Sequence, residues 1–168
     1  MEDVYMKDTI GFITYPESSH EISDVDRLQT YITSGQGVIT LENPETGVHK
    51  TYAFNDPRHK DRFTDGTIFI YYHSSSGYWL YVGMLRYGNV RVTKASNFYS
   101  DNPVYLGAKY IVDVANNRRR NTKMKIYHCG MCCVCGRKLT SPRSILEGIG
   151  PRCKRNKQKL ANISDAIS

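Results

Sequence analysis

Five cysteines fall within the last third of this 168-residue chain, at positions 129, 132, 133, 135 and 153, and no other feature restricts its folding as much. The N-terminus, Met1 to Asp8, is mixed and acidic rather than basic then apolar, so no secretory leader is expected. In a reducing compartment, thiols crowded in this way argue for a metal site ahead of disulfides or a redox role. Cys132-Cys-Val-Cys-Gly136 contains a C-x-x-C followed by glycine. Two thiolates separated by two residues can both approach one tetrahedral ion at about 2.3 Å, and a glycine after the second relieves the tight turn. After seventeen intervening residues comes Cys153, and Lys154 to Leu160, free of Pro and Gly, predicts a helix whose N-terminus favours the thiolate. A knuckle, a short connector and a cysteine in the first turn of a helix outline a treble-clef-like zinc finger, with zinc as the expected cofactor.

The fourth ligand is open to more than one residue. A second C-x-x-C at Cys153 would supply it, but position 156 is Asn and position 150 is Gly. Cys129-Gly-Met-Cys132 is itself a C-x-x-C and competes with the 132/135 register. Gly136 favours the latter. The expected metal set is therefore Cys132, Cys135, Cys153 and Cys129, with His128 next in line. Adjacent cysteines rarely both reach one ion, which leaves Cys133 outside.

Residues 132–153 run Cys-Cys-Val-Cys-Gly-Arg-Lys-Leu-Thr-Ser-Pro-Arg-Ser-Ile-Leu-Glu-Gly-Ile-Gly-Pro-Arg-Cys. This segment resembles a short zinc-binding domain of unknown function found in bacteriophage and bacterial proteins, with the pattern C-x-x-C-G-R-x-L-T-x-P-x-S-I-x-x-G-I-G-P-x-C. The resemblance implies zinc binding and a phage or mobile-element origin, and no activity. Thr40 to Tyr52 is more faintly similar to the β-rich region that often precedes this unit. Within the motif, Ser141 is the expected N-cap of a short helix with Pro142 at its first position and Gly148 at its end. Leu139 and Ile145 are its expected minimal core, and Ile149 is expected to pack inward.

The rest of the chain predicts an α+β fold, an antiparallel sheet with two helices, followed by the finger. Ser23 offers an N-cap to a helix bearing Val25, Leu28 and Ile32, with Gly35 as its stop. From Gly37 the pattern turns to β. A hairpin is expected at 38–42 and 49–54, and three further strands at 67–72, 78–84 and 90–94 make a sheet of about five. Ile10 to Tyr15 is a weak candidate for an edge strand, and Asn55 to Asp65 reads as a loop. Asp101 or Asn102 caps a second helix from Pro103, with Val104, Ala108, Ile111 and Ala115 on one face. The expected domains are an α+β unit at 1–115, a basic linker or arm at 116–125, the finger with its basic helix at 126–160 and a tail at 161–168. In the strand from Tyr78, Trp79 and Tyr81 share a face and are expected as core; an exposed set would suit stacking on unpaired bases.

Charge divides the chain in the same place. Residues 1–115 carry 10 basic and 14 acidic side chains, a net of −4, whereas residues 116–168 carry 13 and 2, a net of +11. A cationic finger beside a basic arm is suited to a phosphate backbone. Arg118, Arg119, Arg120, Lys123, Lys125, Arg137, Lys138, Arg143, Arg152, Lys154 and Arg155 are the candidate nucleic-acid contacts. No helix-turn-helix or RNA-recognition signature accompanies them, so readout of sequence is not expected. The other partner considered is a host protein, the chain then acting as an inhibitor of a nucleic-acid enzyme or defence system. Its five histidines are scattered, and His59 with Asp56 and Asp61 is a weak loop constellation. The chain lacks H-E-x-x-H, the phosphate-binding loop and the nucleophile elbow, so an enzyme is not expected. No apolar run approaches a membrane span. The expected location is the cytoplasm, that of the host cell for a phage-encoded protein.

Overall fold

The computed structural model describes residues 20–55 and 67–167. The weak strand at 10–15 and the loop donors Asp56, His59 and Asp61 lie outside them. The described residues form an α+β fold with four helices and a six-stranded antiparallel sheet in the order β5-β4-β3-β2-β1-β6.

The N-cap of helix α1 (Val25–Thr33) lies one residue later than expected. Asp24, in an extended conformation, accepts hydrogen bonds from the backbone N–H of Asp26 at 2.8 Å and Arg27 at 3.3 Å, so Asp24 rather than Ser23 is the N-cap. Leu28, Tyr31 and Ile32 form the buried face of α1. Strands β1 (Gln36–Glu42) and β2 (His49–Asn55) make the expected hairpin; β3 (Ile68–His73), β4 (Trp79–Arg86) and β5 (Asn89–Arg91) continue the sheet outward. Helix α2 (Pro103–Ala115) is capped by Asn102, whose side chain accepts from the Val104 N–H at 2.9 Å.

The sixth strand, β6 (Lys125–His128), is the addition to the expected five. It returns after α2 to pair with β1, aligning Ile39 with His128 and Glu42 with Lys125. The segment expected as a linker therefore ends inside the sheet, and the first residues assigned to the finger are its edge strand. A six-residue helix α3 (Pro142–Glu147) and a seventeen-residue helix α4 (Pro151–Ile167) follow.

One face of the sheet packs Ile39, Leu41, Tyr52, Phe54, Ile70 and Val82 against Leu28 and Ile32 of α1 and Ala108, Ile111 and Val112 of α2. Each such large side chain, fully buried, contributes roughly 1.5–3 kcal/mol. The Tyr52 hydroxyl, buried among them, donates to the Val104 carbonyl at 2.7 Å. The same cluster continues into Cys132, Cys133, Leu139 and Ile149, so sheet and finger share a core. On the opposite face, Val38, Ala53 and Trp79 form a smaller cluster with Tyr71 and Cys129 beside it. Trp79 and Tyr81 are buried, as expected of core, while Tyr78 is about half exposed.

Candidate metal centre

The chain leaves β6 through Gly130 and makes a tight hairpin bridged at Met131 and Lys138. Within it the Cys132 N–H donates to the Arg137 carbonyl at 2.8 Å and the Gly136 N–H to the Cys132 carbonyl at 2.9 Å. Gly136 has φ 76°, a left-handed conformation open to glycine at little cost, and this closes the turn that carries Cys132 and Cys135. Ser141 then caps α3, accepting from the Ser144 N–H at 3.2 Å, with Pro142 at the first position. Gly148 ends the helix at φ 72°, where a Cβ would lie 2.8 Å from the Tyr31 ring. Two residues on, Gly150 points its N–H at the Cys132 sulfur, 3.4 Å away, and Pro151 opens α4 with Cys153 in its first turn.

The result is that the sulfurs of Cys132, Cys135 and Cys153 lie within 4.8 Å of one another. Metal–sulfur bonds of about 2.3 Å in a tetrahedron set sulfurs about 3.8 Å apart, so the three can share an ion with adjustments of about an ångström. Their chemistry fits. Burial raises the Cys132 thiol, but N–H groups of Gly150, Cys135 and Val134 hydrogen-bond to its sulfur, outweigh burial and bring it below the usual thiol range. Cys153 is pushed the other way, by burial first and then by the sulfurs of Cys135 and Cys132. Three thiolates this close repel one another unless a cation lies between them, and a three-sulfur set suits soft and borderline ions over hard ones.

The other donors considered from sequence are committed elsewhere. Cys129 is not in the group: its sulfur lies 3.8 Å from the Tyr31 hydroxyl, next to Val38, Ala53 and Trp79, and burial raises its thiol. Cys133 is buried and pushed up to about 11, mainly by that burial. His128 spends both ring nitrogens, Nδ1 accepting from the Gly130 N–H at 2.9 Å and Nε2 bonding the Ile145 carbonyl at 2.5 Å. Since Nδ1 is an acceptor, Nε2 carries the proton. The ring stacks between His20 and Tyr31, with centroids 4.9 and 5.5 Å away.

Tyr31, which sequence reasoning passed over, fastens the finger to the sheet domain. Its hydroxyl donates to the Met131 carbonyl at 3.1 Å. The Gln36 N–H donates to the Cys133 carbonyl at 2.8 Å, and Lys157 reaches the Ser34 hydroxyl at 2.7 Å. The position of Tyr31 three residues after Leu28 on an apolar face was the available signal.

The candidate phosphate contacts separate into groups. Arg143 and Lys154 pair with Glu147, at 3.4 and 2.8 Å, and Arg118 pairs with Asp113 at 3.4 Å. Arg119 lies over the Tyr110 ring, 4.5 Å from its centroid; Arg120, Lys123 and Lys125 are exposed along the arm. That arm is held: Asn121 accepts from the Tyr110 hydroxyl at 2.5 Å and from the Met124 N–H at 3.1 Å. Arg137, Lys138, Arg152 and Arg155 instead line a cleft of about 490 Å³ together with the three cysteines. None of these four has a carboxylate partner among the described residues.

Residues 126–156 match a family of unknown function, DUF6011. The matched segment spans β6 from its second residue, the knuckle, α3 and the start of α4, so the sheet's edge strand belongs to the same unit as the cysteines. No curated protein and no solved structure matches the chain. Among the described residues no helix is long and apolar enough to cross a membrane.

Proposed function

We propose that this chain is a phage-type accessory protein in which a zinc-stabilised, treble-clef-like finger grips the phosphate backbone of nucleic acid with little sequence preference. Cys132 and Cys135 from the knuckle and Cys153 from α4 hold the zinc, which fixes the finger. The observation that carries the reading is the sorting of charge: Arg137, Lys138, Arg152 and Arg155 surround the cysteine cleft without carboxylates, while Arg118, Arg143 and Lys154 are matched to acids of the chain itself. Cations left unmatched at one mouth are the ones able to release counterions from a phosphate chain. The arm residues Arg119, Arg120, Lys123 and Lys125 supply further contacts. Phage origin rests on the likeness of residues 132–153 to the phage zinc-binding unit.

Salt titrations of binding to single- and double-stranded DNA and RNA test this. The four cleft cations contribute about −3.6 to the slope of log K against log salt on duplex DNA, at about −0.9 per contact, and the arm adds to it. Replacing Arg137, Lys138, Arg152 and Arg155 by Gln should reduce the slope by about that amount while leaving the melting temperature close to wild type. Absence of binding at low salt for every nucleic acid overturns the proposal and favours the alternative, a module that inhibits a host nucleic-acid enzyme or defence system by binding protein.

A further inference from the structure

The metal reading leaves one coordination position unassigned. A tetrahedral ion needs four donors, and among the described residues three sulfurs converge. The cysteines and histidine nearest in sequence are turned away: Cys129 toward Tyr31, Cys133 into the core, His128 between the Gly130 N–H and the Ile145 carbonyl. What lines the same cleft is Asn156, one helical turn beyond Cys153 on α4. Residues three apart on a helix share a face, so Asn156 occupies the position a fourth thiolate takes in a complete C-x-x-C. An amide oxygen is a hard, neutral donor and a weak partner for an ion already bound by three soft sulfurs. Cys135 is exposed, so the site opens to solvent, and Arg137, Lys138, Arg152 and Arg155 border the opening.

We infer that the metal centre is a three-thiolate site whose fourth position, faced by Asn156, exchanges with an external small-molecule thiol. The thiol binds as its thiolate and gives its proton to solvent, displacing the amide oxygen or a water; no electrons are transferred. The cationic border attracts the anionic ligand, and the soft ion retains it. This rests on the metal reading of Cys132, Cys135 and Cys153.

Cobalt(II) bound to the full chain makes the ligand set visible, because thiolate-to-cobalt charge transfer scales with the number of sulfurs. The wild-type spectrum should respond saturably to added 2-mercaptoethanol, with charge-transfer absorbance rising by about a third as three sulfurs become four. Asn156→Cys should show that higher absorbance without added thiol, bind cobalt more tightly and lose the response. Cys129→Ser should leave the wild-type spectrum unchanged. A wild-type spectrum already indifferent to the thiol overturns the inference, as does loss of a sulfur band in Cys129→Ser; both leave the metal site standing. Failure of the wild type to bind cobalt or zinc at all overturns the metal reading itself. The thiol titration needs no variant, so a misfolded substitution does not obscure the answer.

Discussion

His128 shows at the scale of one residue how the finger depends on neutrality. Burial lowers its imidazole to about 4; the Ile145 carbonyl opposes that shift and His20 adds to it. An unfolded histidine titrates near 6.5, so on acidification the unfolded chain takes up a proton before the folded one does. Stability from this group is complete above about pH 6.5 and is lost as pH falls from there to about 4, on the order of 3 kcal/mol in all. The denaturant midpoint of the zinc-loaded wild type should accordingly fall more between pH 7 and pH 5 than that of His128→Gln, both proteins sharing whatever proton competition the thiolates suffer. Equal falls would refute the assignment. The partners of His128 were not legible in sequence, because Tyr31 and His20 reach it from other parts of the chain and Ile145 across the α3 connection. Cys132, Cys135 and Cys153 were legible because knuckle spacing and a helix start are local patterns. Cys129 illustrates the limit of such patterns: its spacing to Cys132 is suitable, but β6 delivers it to the far face of the sheet beside Trp79.

At the scale of elements, α3 is the spacer that sets where Cys153 arrives. It is six residues long, too short to persist by itself, and owes its start to Ser141 and its stop to left-handed Gly148. Both ends were readable, since capping chemistry needs particular residues at particular offsets. Ser141→Ala should cost about 1 kcal/mol of stability. Because the loss falls between Cys135 and Cys153, it should also weaken zinc affinity, measured by competition with a chromophoric chelator; a destabilised variant with unchanged affinity would separate α3 from the site. The element that escaped sequence reading is β6. Lys125-Ile-Tyr-His128 offers too few residues to display alternation, and its partner β1 lies more than 80 positions earlier. The hairpin of β1 and β2 had the opposite advantage, a turn at Asn43 to Gly47 between two runs rich in β-branched and aromatic side chains.

At the scale of the whole molecule, the shared core would couple the proposed zinc to the fold. On the zinc proposal, removing the ion with a chelator should leave three mutually repelling thiolates or reprotonated thiols where Cys132 packs with Leu139 and Ile149. Restoring zinc to 100 times its dissociation constant should return about 2.7 kcal/mol, seen as a rise in melting temperature. Cys132→Ser, Cys135→Ser and Cys153→Ser should abolish the rise, and Cys129→Ser should retain it. The charge division adds to this picture: the acidic sheet domain and the basic finger are separate surfaces laid over a common interior. The finger also closes the border of β1. Four β1 residues, Ile39 to Glu42, pair with β6, and the Gln36 N–H just beyond is taken by the Cys133 carbonyl of the knuckle. A seven-residue strand left with bare backbone groups is a template for joining another chain. Strand β6 and the cysteine loop thus cover β1 together, and metal-stripped protein should self-associate through β1 before it unfolds, seen as a rise in sedimentation coefficient when the metal is removed.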